Sequence, residues 1–73
     1  MAALPSVSGE RAVRAFKRSG WIKDRQHGSH VILVKHDRHV SLSLPQHREL
    51  APGTLRSLIR ASGMTVEEFA RLL

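Results

Sequence analysis

Histidine is the residue type in this chain with the clearest chemical potential. Five histidines occur within 73 residues, at His27, His30, His36, His39 and His47. They form two H-x-x-H pairs, a spacing that invites interpretation as a metal site. However, residues i and i+3 of one strand point to opposite faces, and neither a cysteine nor a nearby carboxylate pair completes a tetrahedral site. We therefore expect no metal and no other cofactor.

Proton transfer is the alternative chemistry for a histidine. The chain has no cysteine nucleophile, and Ser29 beside His30 does not form a catalytic triad through adjacency alone. Cleavage of an RNA phosphodiester needs less, because the ribose 2′-hydroxyl is itself the nucleophile. A general base, a general acid and cations near the phosphate oxygens are sufficient. A histidine among arginines and lysines is compatible with that reaction, and also with a purely structural role.

The charge of the chain points to a polyanionic partner. Twelve Lys and Arg residues oppose six Asp and Glu residues, which gives a net charge of +6 at pH 7. Such a field attracts nucleic acid and steers its association, although a basic surface without RNA binding is the alternative. The aromatic residues are only Phe16, Trp21 and Phe69. This scarcity argues against a base-stacking platform and favours recognition of the RNA backbone by basic groups.

A helix over residues 9–19 is the first element that must position these groups. Ser8 is its predicted N-cap, and Gly20 stands where a C′ residue ends a helix. Apolar residues between Ala12 and Phe16 share one face. The opposite face carries a basic stripe that either binds phosphate or is simply solvated: Arg11, Arg14, Lys17 and Arg18.

Three antiparallel strands are predicted after this helix. We place them at residues 21–26, 30–35 and 39–44, joined by two-residue turns at His27-Gly28 and Asp37-Arg38. Pro45 ends the third strand, because proline cannot donate to a ladder. The apolar and polar residues of the third strand alternate, so one face of the sheet packs on helices.

The two turn lengths predict which side chains share a face of the sheet. The core face then carries Val31, Leu33, Val40, Leu42 and Leu44, with Leu33 opposite Leu42 and Val31 opposite Leu44. The open face carries Arg25 directly opposite His30, together with Ile32, Val34, Ser41 and Ser43. A histidine, an arginine and two exposed aliphatics make this open face a candidate site for a substrate or partner. A three-residue loop at either turn would exchange the side chains assigned to the core face and the open face.

Two helices complete the chain. Pro52-Gly53 opens the first, which closes at Gly63, and Thr65 with Glu68 forms a capping box for a short last helix. The order is α-β-β-β-α with a short C-terminal helix. This is an α+β fold with a three-stranded antiparallel sheet packed on helices.

The length fits one domain over residues 1–73. Residues 1–8 lack the pattern of a secretory signal, and no apolar run approaches the roughly 18 residues of a membrane helix. We therefore expect no membrane association and a cytoplasmic location.

Several short segments follow one another at spacings typical of one family. They are L-P-x-V-S-G at 4–9, R-Q-H-G-S-H at 25–30, P-x-H at 45–47, E-L-x-P-G-T-L-R at 49–56 and V-E-E-F at 66–69. In this succession the chain resembles the HicA toxins, also called YcfA-like proteins, which are the mRNA-cleaving members of HicA–HicB toxin–antitoxin pairs. Each segment is short, but their order over nearly the whole chain is specific.

The resemblance implies a fold like that of double-stranded-RNA-binding domains, in agreement with the predicted element order. It also implies an endoribonuclease whose catalytic residue is the histidine of the G-S-H motif, here His30. Gly28 would permit a tight turn and Ser29 would help to position the site. A HicB-like antitoxin would cover the active face. The residues that we expect to bind RNA are Lys23, Arg25, Arg14, Lys17 and His47, the last of which either binds phosphate or caps its loop.

Two features depart from the family pattern. The second turn reads Asp37-Arg38 where the family often has Asp-Gly, and His47 runs directly into Arg48 without the Gly or Lys insertion that the family often carries. The shorter loop is expected to alter how the protein binds RNA or the antitoxin. Neither departure touches the G-S-H motif.

The sequence predicts a ribonuclease that cleaves mRNA and arrests growth, with two alternatives. A non-catalytic RNA-binding module would depend on several basic residues more than on one histidine. A structural partner protein that docks another chain through Ile32 and Val34 would show no salt-dependent binding to RNA.

Overall fold

Six secondary-structure elements make up the chain in the computed structural model, which describes residues 4–73. They are α1 Gly9–Arg18, β1 Ile22–His27, β2 His30–Val34, β3 Leu42–Pro45, α2 Pro52–Ser62 and α3 Val66–Arg71. This order confirms the predicted α+β class, with its antiparallel sheet and short C-terminal helix. From the sequence, residues 1–3 are expected to belong to the domain and to a segment without a secretory signal. Those expectations lie outside the described residues.

Both ends of α1 are capped as the sequence predicts. The Ser8 side chain accepts a hydrogen bond of 3.1 Å from the Arg11 N–H. At the other end Gly20 adopts a φ of 105°. The Trp21 N–H donates to the Phe16 carbonyl and the Gly20 N–H to the Lys17 carbonyl, which is the Schellman arrangement. This motif turns the chain directly from α1 into β1.

The sequence signals at the ends of α2 and α3 are also found in the structure. α2 begins at Pro52, without a side-chain N-cap, and its C-cap is Gly63, which has a φ of 84°. The Arg38 guanidinium donates to the Ala61 carbonyl at 2.9 Å, so this arginine binds the C-terminal turn of α2. Thr65 and Glu68 form the predicted capping box of α3. The capping signals of all three helices are therefore confirmed.

The sheet has the order β1-β2-β3, with both pairs antiparallel. In the β2–β3 pair Leu33 lies opposite Leu42 and Val31 opposite Leu44, as predicted. These four side chains are buried and face the helices. The register was predictable because a shift by one residue would have exposed all of them.

The connection between β2 and β3 is longer than the predicted two-residue turn. The Arg38 N–H donates to the Lys35 carbonyl, so the turn is centred on residues 36–37, and β3 begins only at Leu42. The prediction of a strand from residue 39 was therefore wrong, and so was the prediction that Val40 is buried, since Val40 is 46% exposed. Within this segment the Arg38 side chain contacts the C-terminal turn of α2.

The core lies between one face of the sheet and the helices. Phe16 of α1 and Phe69 of α3 pack with their ring centroids 4.9 Å apart, and both are fully buried. The helices contact β3 most closely, and every residue of β1 is exposed. β1 therefore projects beyond the helical layer as an edge strand. None of the described helices is long and apolar enough to cross a bilayer.

Candidate active site

The turn between β1 and β2 places the histidine of the G-S-H motif. The turn residues are Gly28 and Ser29, and His27 lies directly opposite His30. Gly28 has a φ of 60° and no non-glycine residue has a positive φ in the described part of the chain, which is the sign pattern of a type II′ turn. The predicted turn at His27-Gly28, with Arg25 opposite His30, was therefore wrong by one residue.

Two hydrogen bonds fasten this turn to the rest of the sheet. The Gln46 backbone N–H donates to the Ser29 carbonyl at 2.8 Å. The Gln26 side-chain amide donates to the Gly28 carbonyl at 3.3 Å. The turn is thus tied both to its own first strand and to the end of β3, where Pro45 lies opposite His30. These contacts fix the backbone of the turn from which β2 and His30 begin.

A β-bulge at Asp24 decides which basic side chain of β1 shares the face of His30. Lys23 lies opposite Leu33, but Arg25 lies opposite Ile32, so Asp24 is the extra residue. Arg25 is therefore on the open face with His30, as predicted. Lys23 is on the other face, where its ammonium group donates to the Gln26 side chain at 3.3 Å. The structure does not bring Lys23 together with the histidine.

The aliphatic side chains at the centre of the open face are less exposed than predicted. Ile32 is flanked by Arg25 and Ser43 in the register and is only 9% exposed, while Val34 is half-buried. The prediction of two exposed aliphatics on β2 was wrong, because a central strand is shielded by both neighbours. Ile22, opposite Val34 on the edge strand, is instead 62% exposed.

Arg25 does not stand alone on this face. Its guanidinium forms an ion pair with the carboxylate of Asp24, and both side chains are solvent-exposed. An exposed ion pair of this kind contributes little stability and exchanges readily with other partners. Arg25 is therefore available to a phosphate group, in competition with Asp24.

The remaining predicted RNA-binding residues lie elsewhere. Arg14 and Lys17 are on the exposed side of α1, in the helical layer, and Arg14 pairs with Glu10 at 2.9 Å. His47 lies in the loop after β3, where its carbonyl accepts a hydrogen bond of 2.9 Å from the Gly9 N–H. Its exposed side chain lines a shallow groove with Ser8, Glu10, Gln46 and Arg48.

His27 is the residue of this site that the sequence reasoning missed. Two residues three positions apart in one strand would point to opposite faces. The turn instead puts His27 and His30 on two strands and on one face. The Gly-Ser dipeptide, with glycine at the first turn position, was the signal that identifies this arrangement. No group of three potential metal ligands occurs among residues 4–73.

The face thus combines groups that can transfer protons with a group that can bind phosphate. Both imidazoles are exposed at a fixed turn, and Arg25 lies one pair further along the same face. Histidine titrates near neutral pH, so an imidazole can act as base or acid under physiological conditions. An arginine can hold the oxygens of a phosphodiester.

Comparison with known families gives one assignment. The family model described as the HicA toxin of bacterial toxin-antitoxin matches residues 9–64. This range covers α1, the whole sheet and α2, and it includes the G-S-H motif. No curated protein matches the chain.

Proposed function

This chain belongs to the HicA toxin family, the toxins of bacterial toxin–antitoxin systems, and from that membership we propose that it is an endoribonuclease. Its substrate is mRNA, whose cleavage stops translation and growth in the cytoplasm. Its antitoxin is a HicB-like protein. The reaction needs no metal ion or other cofactor in this proposal.

One observation carries the proposal, namely the exposed His30 on a hairpin turn that is tied to β3. The Gln46 N–H fixes the Ser29 carbonyl, and the type II′ turn at Gly28 fixes the direction of both strands. A backbone that is fixed before the substrate arrives limits the positions that its catalytic side chain can take, which favours the rate. An imidazole presented in this way on a basic protein is suited to RNA cleavage.

The proposed reaction uses the ribose as the nucleophile. The 2′-oxygen attacks phosphorus, the bond from phosphorus to the 5′-oxygen breaks, and His30 transfers a proton in this exchange. Arg25 binds the non-bridging oxygens, where negative charge increases in the transition state. The products are a 2′,3′-cyclic phosphate, which a water molecule can then open to a 3′-phosphate, and a 5′-hydroxyl. Lys23, Arg14, Lys17 and His47 contact the RNA further from the reacting phosphate.

The antitoxin is proposed to cover the same face of the sheet. Ile22 offers an apolar contact there, beside Arg25 and the histidines. A protein bound across β1 and β2 would exclude RNA from His30. The toxin would thus be silenced by direct occlusion of its site.

The test compares the purified wild-type protein with His30→Ala. The substrate is an end-labelled RNA, and a copy with 2′-deoxyribose serves as the chemical control. We expect wild type to produce 5′-hydroxyl ends, the deoxy copy to stay intact, and His30→Ala to be slower by about 100-fold or more. His36→Ala, which removes an exposed histidine at the other end of the sheet, should cleave like wild type.

Folding of each variant is checked by the emission of the single Trp21, which is buried. RNA binding without cleavage by wild type would favour the non-catalytic RNA-binding module. Products with 5′-phosphate ends would contradict attack by the 2′-oxygen. Equal cleavage by folded His30→Ala would remove His30 from the active site.

A further inference from the structure

The first hairpin presents two histidines as a directly opposed pair. His27 ends β1, His30 begins β2, and the register pairs them across the Gly28-Ser29 turn. Side chains directly opposite each other share a face, with Cβ atoms about 5 Å apart. Two imidazoles are therefore placed side by side at the tip of the open face.

The His27 side chain has no structural task among the described residues. It is exposed, and its ring makes no hydrogen bond to another residue between 4 and 73. The turn conformation comes from Gly28, and the ties to the turn come from the backbone of Gln46 and the side chain of Gln26. The same is true of the His30 ring, so both imidazoles are free to meet a substrate.

We propose that His27 is a second catalytic residue that shares proton transfer with His30. This inference rests on the proposed ribonuclease function. It names a second proton-transfer group, which His30 alone does not supply. Cleavage by the 2′-oxygen requires two proton movements at two sites, because the attacking oxygen loses a proton and the leaving oxygen gains one. One imidazole cannot be unprotonated and protonated at the same moment.

The geometry of phosphoryl transfer fits a pair of this spacing. The attacking and leaving oxygens lie roughly in line on opposite sides of phosphorus. One neutral imidazole accepts the proton of the 2′-hydroxyl as the oxygen–phosphorus bond forms. The other, protonated, donates its proton to the 5′-oxygen as that bond to phosphorus breaks. The cyclic phosphate and the 5′-hydroxyl are the products, and exchange with water restores both rings.

The charged neighbours of the pair are few. On this face β1 contributes Arg25, with Asp24 paired to it, whereas β3 contributes Ser43 and Pro45. The helices pack on the other face of the sheet. Arg25 lies one pair from the histidines, close enough to hold the phosphate between them.

The test measures kcat and KM of His27→Asn and His30→Asn over a range of pH on a short RNA. For wild type we expect a bell-shaped profile of kcat/KM, with one limb for the base and one for the acid. His27→Asn should lower kcat by about 10²- to 10⁴-fold, with little change in KM and with one limb lost. His36→Asn is the matched control, and His27→Gln is the second variant if His27→Asn does not fold.

A substrate with sulfur in place of the 5′-oxygen identifies the two roles. Sulfur leaves without a proton, so the variant that lacks the acid should regain activity on it, and the variant that lacks the base should not. The double variant should be little worse than either single one, because the two groups act together.

The possible outcomes separate this inference from the proposed function. If folded His27→Asn keeps a wild-type rate and a bell-shaped profile, His27 has no catalytic role and the ribonuclease proposal stands. Both variants could cleave slowly while only His30→Asn changes the pH profile of kcat/KM. In that case His27 acts on binding or folding, and the inference is overturned. If wild type does not cleave RNA, both proposals fail together.

Discussion

Asp24 is a single residue with two effects on the proposed site. As the bulge residue of β1 it moves Lys23 off the histidine face, and as a carboxylate it pairs with Arg25 on that face. A phosphate near Arg25 is repelled by this carboxylate and competes with it for the guanidinium. Neutralising Asp24 should therefore strengthen RNA binding.

We predict that Asp24→Asn raises the affinity for a short RNA by about two- to fivefold at low salt, the range of an exposed ion pair. A non-cleavable 2′-O-methyl RNA permits the measurement by fluorescence anisotropy. Asp37→Asn is the matched control, since Asp37 pairs with Lys35 at 3.7 Å in the β2–β3 connection and also removes one negative charge. If both variants gained affinity equally, the change in net charge alone would account for the effect, and the pairing of Asp24 with Arg25 would not be involved.

Gly9 is a second residue whose size matters. A Cβ atom at Gly9 would lie 2.2 Å from the Pro45 carbonyl oxygen and 2.9 Å from the Gln46 Cα. Both contacts are with backbone, so α1 and the end of β3 would have to separate. Pro45 faces His30, and Gln46 holds the Ser29 carbonyl. A larger side chain at Gly9 is therefore expected to displace the backbone that holds the Gly28-Ser29 turn.

We predict that Gly9→Ala lowers the free energy of unfolding by about 1–3 kcal/mol, as overpacking generally does. Gly53→Ala is the control without a clash, because nothing lies within 4 Å of its Cβ position. Since Gly53 lies in the first turn of α2, the gain should be at most the roughly 0.5–1 kcal/mol by which alanine stabilises a helix interior relative to glycine. Urea unfolding followed by Trp21 emission measures both. A Gly9→Ala protein as stable as wild type would contradict the close approach.

At the scale of elements, the registers of the two strand pairs were predictable to different degrees. The β2–β3 register follows from alternating apolar residues that have to be buried. The first turn was placed one residue too early. A turn at His27-Gly28 would require positive φ at histidine in type I′, or a type II turn that splays the strands, so Gly28-Ser29 was the better choice.

The faces of β1 show why that error had little consequence. Moving a two-residue turn by one residue shifts the pairing by two, which leaves Arg25 on the face of His30. A bulge shifts the pairing by one and moves Lys23 to the other face. No local sequence pattern around Asp24 marks it as a bulge. The sequence therefore predicted Arg25 and His30 together and could not place Lys23.

Helix α3 offers a test through its capping box. The Thr65 N–H donates to the Glu68 carboxylate at 2.8 Å, and the Glu68 N–H donates to the Thr65 hydroxyl oxygen at 3.1 Å. The bond from the Thr65 backbone, with smaller effects of the Thr65 side chain and Arg71, lowers the pKa of Glu68 from its ordinary 4.5. The folded protein thus binds this proton less readily than the unfolded chain.

The capping interaction is expected to stabilise the fold at neutral pH and to weaken as the pH falls below 4.5 toward the lowered pKa. We predict that Glu68→Gln, which can form the same hydrogen bonds without a titrating group, flattens the stability profile between about pH 3 and 5. Urea midpoints at several pH values measure this. Glu67→Gln, exposed in the same turn, is the control and should leave the profile unchanged.

At the scale of the whole molecule, the excess positive charge is divided among different tasks. Arg18 donates to the Leu72 carbonyl and Arg38 to the Ala61 carbonyl, so both bind helix C-termini. Arg14 and Lys17 lie on the helical layer and Arg25 on the open sheet face. The molecule measures 33 × 27 × 18 Å, and even 18 Å exceeds the Debye length of about 8 Å at physiological salt.

RNA length should therefore decide which cations matter. On a substrate of two or three nucleotides we predict that Arg25→Gln lowers kcat/KM by about tenfold, the loss of one charge-assisted hydrogen bond. The double variant Arg14→Gln/Lys17→Gln should stay within about twofold there, because salt screens its distant charges. On a long RNA both variants should weaken binding. Equal losses on the short substrate would mean that the helical cations reach the reacting phosphate.

The bulge at Asp24 also bears on how copies of the protein avoid one another. β1 is an edge strand with both faces exposed, and such an edge can pair with the edge of a second copy and grow into an aggregate. A bulge interrupts the regular row of backbone donors and acceptors, and the charges of Lys23, Asp24 and Arg25 oppose close edge-to-edge contact. Deleting Asp24 would straighten the strand as it realigns the side chains before it. The residue that turns Lys23 away from the histidine face is therefore also expected to oppose edge-to-edge association of copies.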